Sequence, residues 1–313
     1  MICLGIETTA HTFGVGIIDD SGRFYANERD IYKAPEGYGI IPAESAKHHT
    51  KVAPEVLQKA LEKAGVKMQE VDLVAVSTGP GLPPCLSAGL RFAKTLGKPL
   101  ISVNHCVAHI EIGRLLGKME DPLNVYVSGG NTQIAGYENG RYRVYGETLD
   151  IGIGNAIDKF ARGIGLEMPG GPKVEALALN GKKYVELPYT VKGMDLTFSG
   201  IVTSALKQNA LKEDLCYSFQ ETVYSMLTEV TERALAHTEK KEVMLSGGVA
   251  QSKRLQKMMK EMAETHGADF FVPEASVCGD NGLMIAWTGV LAQKKPKTSL
   301  DIRPRWRTDE VEW

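Results

Sequence analysis

Apolar residues fall into short runs, and one succession of runs occurs twice along the chain. The first begins with Ile2 to Ile6, which ends in Glu7-Thr8-Thr9, and continues with Phe13 to Ile18. Asp19-Asp20-Ser21-Gly22 predicts a turn before a third run, Arg23 to Tyr32. The second begins with Leu123 to Val127, which meets Ser128-Gly129-Gly130-Asn131-Thr132. Gln133 to Tyr137, a turn at Glu138-Asn139-Gly140 and Arg141 to Leu149 follow. Each triplet predicts a three-stranded antiparallel meander.

The parallel continues. Val71 to Val76 ends in Ser77-Thr78-Gly79-Pro80-Gly81 before a helical pattern, Leu86 to Leu96. Glu242 to Leu245 ends in Ser246-Gly247-Gly248 before another, Ser252 to Thr265. Short strands at Pro99 to Val103 and Asp269 to Val272 each lead to a loop and a helix, Val107 to Leu116 and Asn281 to Leu291. Both halves read β-β-β-α-β-α-β-α, which predicts mixed sheets covered by helices. That order resembles the actin, Hsp70 and sugar-kinase superfamily. The expected class is therefore α/β, a duplicated actin-like, ribonuclease-H-like fold with two lobes and an interlobe nucleotide and metal cleft. The expected first lobe is 1–120, with a helical insertion at 42–65 carrying Val52, Val56, Leu57, Ala60 and Leu61 at helical spacing. The expected second lobe is 121–295, whose insertion at 150–241 includes a helix from Leu215 to His237. A polar tail, 296–313, is expected on the surface.

Composition narrows the class. Apolar residues at 43% and charged residues at 24% are those of a globular chain, and no apolar run is long enough to cross a bilayer. The strand-like start, with its acid at Glu7, is unlike a signal peptide. Five cysteines without paired spacing argue against a disulfide framework and for the cytoplasm. A net charge of −2 is low for a chain that grips nucleic acid unaided, so an RNA substrate would need a local basic surface or help from partners. Lys47-His48-His49 is a small basic cluster, read either as a solvated face or as a contact for RNA or a partner.

Two kinds of chemistry stand out. After an apolar strand, Tyr126-Val127-Ser128-Gly129-Gly130 lets backbone N–H groups converge on an anion without a Cβ in the way. Gly247-Gly248 repeats the device and is expected to open a helix. One such pair alone reads as a tight turn; two at equivalent points of a duplication read as phosphate sites. Asp158, and Glu175 after the turn Met168-Pro169-Gly170-Gly171-Pro172, are placed to accept bonds from ribose hydroxyls or to be solvated helix-terminal acids. Four residues separate His105 from His109, so the two share a helix face and can hold one metal ion. Asp280 follows the strand matching the one before His105, so imidazoles from one lobe and an acid from the other are expected on a single ion. Iron and zinc both suit this set. A zinc peptidase is rejected because its glutamate, directly after the first histidine, is here Cys106.

Gly5-Ile6-Glu7-Thr8-Thr9, Pro42-Ala43-Glu44, His48-His49, Gly79-Pro80-Gly81-Leu82, Asn104-His105 with His109, Ser128 to Thr132, Thr197-Phe198-Ser199-Gly200 and Gly279-Asp280-Asn281-Gly282 run in order over the whole chain. Together they resemble the universal tRNA threonylcarbamoyladenosine synthase family, in its archaeal and eukaryotic branch, the catalytic subunit of the KEOPS complex. The resemblance implies threonylcarbamoyl transfer from threonylcarbamoyl-adenylate to the exocyclic amine of the tRNA adenosine 3′ of the anticodon. It implies His105, His109, Tyr126 and Asp280 as metal ligands. For the adenylate or an ATP-type nucleotide it implies Tyr126, Val127, Ser128, Gly129, Gly130, Asp158, Gly171, Glu175 and Ser252. Ser252 stands where the family usually has asparagine, and Pro84 where it often has glycine. No side chain is implied as a covalent nucleophile. Implied partners are tRNA, a kinase-like ATPase subunit that is fused C-terminally in some relatives, a small dimer-forming subunit and further KEOPS subunits, with no membrane. The helix carrying Val52 to Leu61 is a candidate partner face. A small-molecule kinase would instead need magnesium, and an Hsp70-like ATP-gated module would hydrolyse slowly; the histidine pair with Asp280 sets the transferase apart from both.

Overall fold

The computed structural model describes residues 1–35, 38–294 and 299–312, so part of the expected tail lies outside the described residues. Those residues form two compact units: 1–116 with 139–142 and 279–313, and 117–138 with 143–278.

In the first unit the meander forms as read: β1 (Ile2–Glu7), β2 (Thr12–Asp19) and β3 (Phe24–Ile31). Helix α1 (Pro42–Ala64), β4 (Leu73–Gly79), α2 (Pro83–Thr95), β5 (Leu100–Asn104) and α3 (His105–Gly117) follow. The sheet order is β3-β2-β1-β4-β5, with β1 antiparallel to β2 and parallel to β4. Period-two alternation sorts its two faces. Leu4, Ile6, Val15, Ile17, Val74 and Val76 pack with Ala53, Val56 and Ala60 of α1 and Leu90 and Ala93 of α2. On the other face, glycines admit the final helix at backbone distance. A Cβ on Gly5 would lie 2.2 Å from Ala286 N, and one on Gly16 2.1 Å from Leu283 N.

The second meander is β6 (Leu123–Val127), β7 (Thr132–Glu138) and β8 (Arg141–Glu147). Helices α4 (Ile153–Gly163) and α5 (Gly170–Ala178), a small ribbon of β9 (Val191–Lys192) and β10 (Asp195–Leu196), α6 (Ser199–Ala205) and α7 (Lys212–Thr238) fill the expected insertion. Then come β11 (Glu242–Ser246), α8 (Lys253–Thr265), β12 (Asp269–Phe271), α9 (Ala275–Cys278) and α10 (Gly282–Ala292). The sheet order is β12-β11-β6-β7-β8, with β11 parallel to both neighbours and β6 antiparallel to β7. Its core joins this sheet to α4, α6, α7 and α8, and Phe160 stacks on Phe219 at 4.2 Å.

Three readings change. The stretch from Gly279 onward, α10 included, groups with the first unit instead of with 121–295, because α10 lies against β1, β2 and β4. The tail is stitched in more deeply than a surface segment: Arg303 N–H donates to Thr78 O at 2.7 Å, Ser102 Oγ donates to Ser299 O at 2.7 Å, and Trp306 is buried. Gly247-Gly248 opens one 3-10 turn, Gly248–Gln251; the α-helix starts after Ser252. All five cysteines are buried and free.

Candidate metal centre

The N-terminus of α3 abuts the end of β5. Asn104 Oδ1 accepts the N–H groups of Cys106 and Val107 at 2.9 and 3.1 Å, so the helix starts at once and His105 sits in its first turn. His109 is one turn on, and the two rings stand nearly perpendicular, 4.7 Å apart at 85°. Asp280 arrives on the turn before α10. That turn is fixed by Asn281, whose Oδ1 accepts Met284 N–H at 3.0 Å, and by Arg29, which donates to the Asp280 carbonyl at 3.3 Å. Asp280 Oδ1 lies 3.3 Å from His109 Nε2 and 3.6 Å from His105 Nε2. Among the described residues these three form a group whose ligand atoms lie within 4.8 Å of one another. Tetrahedral bonds of roughly 2.0–2.1 Å place neighbouring ligand atoms about 3.3 Å apart, so two imidazole nitrogens and a carboxylate oxygen at these spacings fit one ion.

All three residues belong to the first unit. The expectation of imidazoles from one lobe and the acid from the other is corrected here: the chain returns to the first unit before Asp280, so both sides of the set share one scaffold.

Electrostatics follow from burial and proximity. Burial disfavours the charged form of His105, but the carboxylates of Glu7 and Asp280 outweigh it and push its pKa up to about 9. For His109 burial wins and its pKa is lowered, against the Asp280 hydrogen bond. Burial would raise Asp280, yet His105 and then His109 hold it well below the usual carboxylate range. Glu7 is fully buried at the end of β1, with Oε2 2.9 Å from His105 Nδ1. The sequence marked Glu7 as a polar strand end and as part of the motif Gly5 to Thr9, without a place at the metal group. Its available signal was a carboxylate closing an otherwise apolar strand. Burial pushes the Cys106 thiol up to about 12, which disfavours its thiolate.

The residues assigned to the nucleotide lie in the second unit, where helix starts are tied to one another. At the turn after β6, Gly154 N–H donates to Ser128 O and Asn155 N–H to Gly129 O, both at 3.1 Å, joining this turn to the start of α4. Asp158, on α4, accepts Gly170 N–H at 3.0 Å at the start of α5. Glu175, on α5, accepts Arg254 N–H at 3.0 Å at the start of α8. Ser252 caps α8, its Oγ accepting Leu255 N–H at 3.3 Å. A Cβ on Gly130 or Gly171 would meet nothing within 4 Å, and one on Gly129 only Asn155 Oδ1 at 3.6 Å. Val127 ends β6, and Tyr126 beside it is buried with Gln133 and Ser246 as strand neighbours.

Of the basic cluster, His49 is buried. Its Nε2 donates to Ala10 O at 3.0 Å, and burial lowers its pKa to about 4. His48 faces Asp30 at 2.9 Å and Lys47 faces Glu44 at 2.8 Å.

The duplicated order and the imidazole–carboxylate set define a protein of actin-like fold with a His–His–Asp group whose spacing fits a metal ion. The fold is shared with HypF of Thermococcus kodakarensis at a TM-score of 0.67 and 15% identity, over 93% of this chain and 48% of that one. The tRNA N6-adenosine threonylcarbamoyltransferase (TsaD) family matches residues 23–287, and the chain belongs to that family. It is 53% identical to the tRNA N6-adenosine threonylcarbamoyltransferase of Thermococcus kodakarensis, over all of this chain and 99% of the relative. It is also 53% identical to a probable bifunctional tRNA threonylcarbamoyladenosine biosynthesis protein of Methanocaldococcus jannaschii, covering all of this chain but 60% of that protein.

Proposed function

We propose that the chain transfers the threonylcarbamoyl group of threonylcarbamoyl-adenylate to N6 of the adenosine 3′ of the tRNA anticodon. The observation that carries this reading is the convergence of His105 Nε2, His109 Nε2 and Asp280 Oδ1 in a member of this family. An iron or zinc ion held there would act as a Lewis acid toward the carbamoyl oxygen. The chain's own residues do the positioning. Ser128, Gly129 and Gly130 line the donor's phosphate, Gly129 and Gly130 with backbone N–H groups, while the Ser128 N–H donates to Asn131 O at 2.8 Å and shapes the turn. Asp158, Gly171, Glu175 and Ser252 line its nucleoside side. The N6 amine attacks the carbamoyl carbon, the bond from that carbon to the phosphate oxygen breaks, AMP leaves with the bonding electrons, and N6 loses one proton. No covalent enzyme intermediate is needed, in keeping with the suppressed Cys106 thiol. The splayed bases of an anticodon loop suit such a site.

A net charge of −2 favours tRNA binding shared with partner subunits: a kinase-like ATPase, a small dimer-forming subunit and other KEOPS members. The length of the bifunctional relative supports a fused partner. Among the described residues no helix is long and apolar enough to cross a membrane, and we place the protein in the cytoplasm. The test supplies donor, tRNA and partner subunits and measures threonylcarbamoyladenosine by nucleoside analysis. His109→Ala is expected to reduce product below detection and to lose the metal. Full product from metal-free His109→Ala would exclude the metal role.

A further inference from the structure

We propose that Glu7 sets the tautomer and ring orientation of His105, positioning a metal-ligating nitrogen without itself touching the ion. The proposal rests on the metal-centre reading above. A carboxylate withdrawn from water has to be hydrogen-bonded, and Glu7 is wholly buried. Its Oε1 accepts the Thr9 N–H at 2.6 Å and the Thr9 hydroxyl, which leaves Oε2 for His105 Nδ1 at 2.9 Å. Thr9 Oγ1 lies 3.3 Å from the same nitrogen. That side of the ring is taken, so a proton at Nδ1 directed to Glu7 leaves Nε2 as the ligand atom, on the side of Asp280. Glu7 lies outside the group of ligand atoms that cluster within 4.8 Å.

The turn carrying Glu7 cannot drift. The Ala10 carbonyl accepts from Ser45 Oγ at 2.7 Å and from His49 Nε2 at 3.0 Å, both on α1. Strand β1 fixes the other side, where Glu7 pairs with Gly14 of β2. A carboxylate held this firmly behind an imidazole fixes its rotation and raises its basicity, and loss of such a partner weakens metal binding about 10–100-fold.

The test titrates the full-length protein with Co(II), reading the d–d absorption band and competition with a chromophoric chelator, alongside circular dichroism and thermal unfolding. Glu7→Gln is expected to keep the energy and shape of the wild-type band, showing an unchanged ligand set, with affinity about 10–100-fold lower. Thr9→Val removes only the hydroxyl that orients Glu7 and is expected to shift affinity in the same direction by less. It decides the matter if Glu7→Gln does not fold. Wild-type affinity in folded Glu7→Gln, or in Thr9→Val if that variant alone folds, overturns the proposal. A changed band in Glu7→Gln overturns it too, by making Glu7 a ligand. Co(II) binding by His109→Ala that equals wild type overturns the metal-centre reading and this inference with it, and that failure shows in a different variant.

Discussion

The turns after β1 and β6 hold the same place in the duplicated order and have opposite characters. The first, Glu7 to His11, is closed: its carboxylate and Ala10 carbonyl accept hydrogen bonds from Thr9, His105, Ser45 and His49. The second, Ser128 to Asn131, is open, with Gly129 and Gly130 exposed and almost nothing where their Cβ atoms would stand. One turn directs its polar groups to an imidazole of the His105–His109–Asp280 group. In the other, Ser128 N–H donates to Asn131 O at 2.8 Å and Asn131 N–H to Ser128 Oγ at 3.1 Å, so the proposed anion contacts fall to Gly129 and Gly130. Duplication supplied two equivalent strand ends: one carries a carboxylate bonded to His105, the other an exposed glycine pair that we propose as the phosphate cradle.

The largest expected effect concerns the closed turn. His49 is buried and neutral, its folded pKa near 4 against 6.5 for the free group. The unfolded chain takes up that proton first, so stability is lost as pH falls from about 6.5 toward 4, by up to about 3 kcal/mol. Chemical unfolding of metal-free protein across that window is expected to show this slope, and His49→Gln, which keeps a donor for Ala10, is expected to flatten it. An unchanged slope would show that the turn is not held by a neutral imidazole. A smaller effect concerns the open turn. Gly130→Val has room for its side chain within the protein but fills the space proposed here for the anion. Calorimetric titration is expected to show AMP binding about tenfold weaker, roughly 1.4 kcal/mol, with the melting temperature unchanged. A drop in melting temperature instead would mean that this turn is packed like the first.

The sequence carried much of this. Strand runs, turn residues and the doubled β-β-β-α-β-α-β-α order anticipated both sheets, because apolar periodicity is a local property. The i, i+4 spacing of His105 and His109 was equally local, and Asp280 was found by matching halves. What escaped depends on contacts between distant segments. His105 lies 98 positions from Glu7, so nothing nearby announces their hydrogen bond. Asp280 belongs with the first unit because glycines at 5 and 16 let α10 lie on β1 and β2, a backbone approach that no single window shows. His49, in a run of basic residues, reads as surface until α1 buries it beneath the first turn.

The most direct test is anomalous diffraction from crystals of the metal-loaded protein, recorded on both sides of the metal's absorption edge. A single peak about 2.0–2.2 Å from His105 Nε2, His109 Nε2 and Asp280 Oδ1 is the expected result. A metal peak elsewhere, or none at this triad in protein that forms threonylcarbamoyladenosine at full rate, would contradict it.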